Sequence, residues 1–270
     1  MQSRTMSIRS IVITGILAAV AILLGATRLG FIPVPNPSGN ATIMHVPAII
    51  AGIIAGPVSG LIVGGIFGLY SFLSSTTPFF KDPLVAILPR LFIGVTAYYA
   101  YVSLRSLNRT TGYILTAILA VLVVAFLFIS FRNIPPADTA SIIYPPLAAD
   151  APEGARSLIN LTGTAAVRAY QVIGAVIGLI GVAVVFALWR FIQRDEIEML
   201  SVSTAAIVGT LTNTILVVTM LIVRNWFPAG VIIPSVTPQA FAEIVIAVIV
   251  TVAVVAGWKQ MDSGSGKSSI

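Results

Sequence analysis

Apolar stretches recur along the whole chain, at about 11–29, 45–55, 58–74, 84–104, 113–131, 166–190, 203–224 and 239–257. Each is bounded by proline, glycine or charge. A helix needs ~20 predominantly apolar residues to cross a bilayer, and most of these stretches have them. Mean hydropathy is +1.03, and 57% of residues are hydrophobic against 9% charged. Those values lie far outside the soluble range. The fold class expected is an all-α polytopic membrane protein with about eight membrane segments, as one transmembrane domain over 1–261 and a flexible polar tail over 262–270. The second and third stretches are short and divided by Gly56-Pro57, which predicts two short helices joined by a tight turn.

Composition excludes several functions. There is no cysteine and a single histidine, so disulfides, thiolate metal sites and multi-histidine centres are unavailable. The net charge of +6 is spread over short loops, which does not fit nucleic-acid binding. Gly264-Ser-Gly-Lys-Ser268 matches only the end of a phosphate-binding loop. The full pattern needs glycine where Met261 stands, with a strand before and a helix after. No H-E-x-x-H, G-x-S-x-G or paired intramembrane aspartates occur, so neither a catalytic residue nor a cofactor is assigned.

Arginines nearest the helix ends cluster in the loops that a cytoplasmic N-terminus would place inside, which favours both termini inside. The outer loops are then roughly 30–44, 75–83, 132–165 and 225–238. They hold most of the prolines and read as stiff covers.

Two charges stand within apolar spans, Arg90 and Glu243. A guanidinium at the centre of a bilayer costs about 2.5–3.5 kcal/mol on insertion scales, so it should meet a cavity, a partner or a ligand. With Arg90 six residues into a helix and Glu243 four residues into the last one, both lie ~6–9 Å below the outer surface. His45 opens the second helix at that level. Thr210, Asn213 and Thr214 share a helix face through i, i+3 and i+4 spacing and fit either a polar cavity wall or a helix–helix staple. Gly60, Gly64 and Gly68 form a small-residue face suited to close internal packing. Gly15 and Ala19, with Ala18 beside them, form a second one where a partner protein can dock.

Several segments together resemble the substrate-binding (S) components of energy-coupling factor (ECF) vitamin transporters. They are Thr42-Ile-Met-His45-Val-Pro47-Ala-Ile-Ile, then Ala55-Gly56-Pro57 and the glycine-spaced helix ending Phe67-Gly68-Leu-Tyr-Ser71. Asp82-Pro-Leu-Val-Ala-Ile-Leu-Pro89-Arg90-Leu-Phe-Ile-Gly94 follows, and then Gly209-Thr-Leu-Thr-Asn213-Thr214 and Glu243. The resemblance implies a six-helix core in a prokaryotic plasma membrane and a small-molecule pocket opening outward beneath the loops 30–44 and 75–83. It also implies a transmembrane coupling subunit, docked on Gly15, Ala18 and Ala19, and two ATPase subunits on other chains. Segments 113–131 and 166–190 depart from the pattern and read as an inserted hairpin over about 113–190.

The expected ligand is a water-soluble vitamin, with Arg90 as anchor, Asn213 and Thr210 as pocket wall, and His45 and Glu243 as pocket members or orienters of Arg90. Arginine's bidentate grip on carboxylates favours an anionic vitamin such as pantothenate, with folate, riboflavin and cobalamin open. A self-sufficient ion-coupled secondary transporter and a non-transport assembly protein are the rival readings.

Overall fold

The structure is a computed structural model; it describes residues 6–33, 40–108 and 197–265, with scattered positions between 110 and 122. The hairpin expected at 113–190 lies almost wholly outside the described residues. What is described is mostly helical: α1 (Ile8–Ala26), α2 (Val46–Ala55), α3 (Pro57–Ser74), α4 (Pro83–Ala86), α5 (Leu88–Arg105), α6 (Ile197–Val223) and α7 (Ala229–Ser265). Five spans among these residues are long and apolar enough to cross a membrane, namely Ile8–Ala26, Pro57–Ser74, Pro83–Arg105, Glu198–Val223 and Gln239–Gln260. Leu, Ile and Val side chains on the outer faces of α1, α3 and α6 are exposed, as lipid-facing surfaces are.

α1 starts where the Ser7 hydroxyl accepts the Ser10 N–H at 3.1 Å, the capping contact serine is suited to. The Gly56-Pro57 turn forms as expected. Gly56 ends α2 with φ +94°, a left-handed conformation that glycine adopts without strain, and Pro57 is the first residue of α3. Between α1 and α2 the chain forms a short antiparallel ribbon, β1 (Phe31–Pro33) paired with β2 (Asn40–Thr42), with Phe31 opposite Thr42. Proline and glycine hid these strands from a reading based on periodicity.

α5 is the central element and packs mainly on α6 and α3. The glycine face of α3 explains the closeness of that contact. A Cβ at Gly64 would come within 2.1 Å of the Arg90 carbonyl, and one at Gly60 within 2.8 Å of Gly94. Gly52 of α2 meets the Gly94 carbonyl in the same way. Three backbones therefore cross without side chains between them, and they fix where Arg90 sits. Ala48, Ile49, Val63, Phe67, Ile93 and Ala205 fill the adjoining core.

Two boundaries differ from expectation. The span expected as one helix over 84–104 is broken, because Pro89 has no N–H for the Val85 carbonyl and its ring crowds the preceding turn. The last helix begins at Ala229 rather than near 239, passes through Pro234 and Pro238, and continues to Ser265, into the stretch expected as a tail. Proline removes one intrahelical bond without ending a helix that packing supports. Glu243 is therefore well inside α7, not in its first turn, and its depth cannot be counted from 239.

Candidate functional site

Arg90, at the third position of α5, is 4% exposed. Its Nη1 donates to the Val85 carbonyl, the acceptor that Pro89 leaves without a backbone donor. The guanidinium lies over the rings of Phe67, at 5.5 Å, and Phe80, at 5.0 Å. Its Nε is buried and has no hydrogen-bond partner. Nη1 and Nε lie on different edges of the planar group, so one edge is committed to the backbone and the other is open.

Glu243, 1% exposed, makes no ion pair with Arg90 among the described residues. Its Oε1 accepts the Thr42 N–H at 2.7 Å and the Gln239 Nε2 at 2.8 Å. The carboxylate thus ties β2, and with it the first loop, to α7. Arg90 lies within electrostatic reach of both Glu243 and His45. Gln239 stands one helical turn before Glu243. The i, i+4 spacing was the available signal, and it carries no weight while 239 is taken for the helix start.

His45 stands at the N-cap position of α2, makes no side-chain capping bond and is fully buried. Its Nε2 is 3.1 Å from the Thr210 hydroxyl, whose proton goes to the Ala206 carbonyl at 2.9 Å. A hydroxyl has one proton to give, so Thr210 accepts and His45 Nε2 carries the hydrogen. Among the described residues Nδ1 makes no hydrogen bond of ordinary geometry, with the Thr42 backbone beside the ring. One turn further along α6 the Asn213 Oδ1 is likewise buried and unpartnered.

α2, α5, α6 and α7 therefore bring His45, Arg90, Thr210, Asn213 and Glu243 into the packed interior. Among the described residues no cluster of His, Cys, Asp and Glu is fit to hold a metal ion.

Asp82, just outside the span, caps α4 by accepting the Leu84 N–H at 3.0 Å and pairs with Arg224, beyond the end of α6, at 2.5 Å. The Arg224 hydrogen bond holds its carboxyl below the ordinary carboxylate range. Phe79, Trp226 and Phe227 pack edge-on beside this bridge. Sequence reading missed the bridge because its partners are 142 positions apart.

The small residues of α1 do not share one surface. Gly15 has nothing within 4 Å of a Cβ added there, and Ala19 is exposed. Ala18 is 7% exposed and belongs to the core, as expected when residues one apart on a helix point 100° apart. Ala18 is thus turned away from any partner that docks on Gly15 and Ala19.

A family model described as "ECF transporter, substrate-specific component" matches residues 9–188, two thirds of the chain. The matched range takes in nearly all of the segments set apart above as an inserted hairpin, and it ends before Thr210, Asn213 and Glu243. No curated relative matches the sequence.

Proposed function

The chain belongs to the substrate-specific components of ECF transporters, and we propose from that premise that it captures a water-soluble vitamin, pantothenate first among the candidates, through Arg90, Asn213 and His45. In this reading it sits in a prokaryotic plasma membrane with both termini cytoplasmic, and α1, α2, α3, the broken α4–α5, α6 and α7 are its six-helix core. Uptake is powered by two ATPase subunits through a coupling subunit that docks on Gly15 and Ala19 of α1.

One observation carries the proposal. Among the described residues Arg90 Nε, Asn213 Oδ1 and His45 Nδ1 are buried without a hydrogen bond of ordinary geometry, as is Thr251 Oγ1 on α7. Native proteins leave few such groups, since each costs about 1–3 kcal/mol. Here the first three come from three packed helices, and a polar ligand supplies what all three lack. The open edge of Arg90 suits a carboxylate, while Asn213 Oδ1 and His45 Nδ1 accept from hydroxyl or amide donors. Pantothenate offers a carboxylate, hydroxyls and an amide in one molecule. Folate, riboflavin and cobalamin are the comparison ligands.

Calorimetric titration of the purified chain with these vitamins is the test. Asn213→Leu removes the orphaned acceptor. It is expected to weaken binding by about tenfold or more while the melting temperature holds or rises, because an amide with an unsatisfied oxygen is replaced by an apolar group of the same branched shape. Undiminished affinity in Asn213→Leu would refute the assignment.

A further inference from the structure

Glu243 is a carboxylate buried in a membrane span, and its Oε1 bonds to two neutral donors. The β1–β2 ribbon shows why it stands there. The Ile43 N–H donates across the ribbon to the Gly30 carbonyl at 2.9 Å. Successive amides along a strand point to opposite sides, so the Thr42 N–H points away from β1, to where a third strand would lie. α7 packs there instead. The backbone of a helix interior is already bonded to itself, so the acceptor has to come from a side chain. Glu243 Oε1 takes the Thr42 amide at 2.7 Å and is itself held by Gln239 Nε2 at 2.8 Å. An amide left bare at membrane depth is strongly unfavourable.

Thr42 is also where the chain is directed into α2. Its hydroxyl accepts the Met44 N–H at 3.2 Å, and its backbone lies beside the His45 ring. Met44 is anchored in the core, and His45 Nε2 meets the Thr210 hydroxyl of α6 at 3.1 Å. Only Ile43 and Met44 stand between Thr42 and His45, so a displaced Thr42 carries the ring with it. Supporting contacts of this kind decide whether a binding group is held in one orientation.

We infer that Glu243 is a positioning residue: through the Thr42 amide it holds β2, and with it the orientation of the His45 ring, while making no contact with the ligand itself. The role requires an oxygen at the right reach and no negative charge, which separates it from a counter-ion to Arg90. The inference rests on the vitamin reading only for what His45 then binds.

The chain has a single histidine, so isotopic labelling of the histidine ring nitrogens gives one imidazole spectrum from the full chain in micelles, with no ligand added. Glu243→Gln keeps an oxygen at the same reach and drops the charge. Glu243→Asp keeps the charge and draws the oxygen back by a methylene. Glu243→Gln is expected to leave both ring-nitrogen shifts where they stand in the parent chain. Glu243→Asp should move them toward the average of a ring that exchanges its tautomers. Pantothenate affinity by calorimetry should follow the same order, retained in Glu243→Gln and about tenfold lower in Glu243→Asp. Unmoved shifts in Glu243→Asp, or shifts displaced in Glu243→Gln, would overturn the inference. A parent chain that binds no vitamin, with the shifts behaving as expected, would overturn the vitamin reading and leave the role of Glu243 standing.

Discussion

Pro89 removes the N–H that would close a helix onto the Val85 carbonyl, and Arg90 supplies a substitute donor from the next position. The two residues should therefore be energetically coupled. Arg90→Met alone leaves the carbonyl bare and is expected to lower stability by about 1.5–3 kcal/mol. In a Pro89→Ala background, where a backbone donor returns, the same substitution should cost about 1 kcal/mol less. Denaturation of the four proteins in mixed micelles measures the difference, and equal losses in both backgrounds would contradict the coupling. At this scale the sequence was legible in what it flagged and silent on direction. An arginine in an apolar run announces a buried charge, but nothing in the pattern says that Glu243 bonds to the Thr42 backbone instead of to Arg90. That depends on where α7 begins, which its prolines obscured.

Among the elements, the glycine stripe of α3 was readable because its spacing is that of a helix face. Its partner was not, because Gly94 and the Arg90 carbonyl lie on another helix. Gly64→Ala forces a methyl against that carbonyl. It should lower the melting temperature by the equivalent of about 1–3 kcal/mol and weaken vitamin binding with it, since Arg90 shifts. Gly15→Leu, by contrast, meets open space and should leave melting and vitamin affinity unchanged while reducing recovery of the coupling subunit in a pull-down. Unaltered recovery would remove Gly15 from the docking face.

The Asp82–Arg224 bridge belongs to this scale too, since it ties the start of α4 to the end of α6. Arg224 holds the Asp82 carboxyl below its ordinary value, so the bridge's contribution is present above the ordinary carboxylate range. It is lost as pH falls through the lowered value. Arg224 is half exposed, which limits the contribution to about 1 kcal/mol or less. Asp82→Asn keeps a capping oxygen for Leu84 and should flatten the part of the pH–stability curve below about pH 4 that this carboxyl governs. Curves that superimpose would show the bridge to be energetically silent.

Over the whole molecule, hydropathy alone specified a helical membrane protein, and motif order specified its family. The short β1–β2 ribbon, the break at Pro89 and the long α7 were not legible, since each depends on backbone hydrogen bonds made or lost at proline. The resulting arrangement puts three unsatisfied polar atoms in the interior between α2, α5 and α6. The central claim is that a vitamin satisfies those atoms. The most direct measurement is mass spectrometry of small molecules that co-purify with the chain from cells, made in parallel on Arg90→Ala. A single vitamin should be recovered with the parent chain and lost from the variant. Recovery of the same vitamin in equal amount from both, or of none from either, would contradict the account.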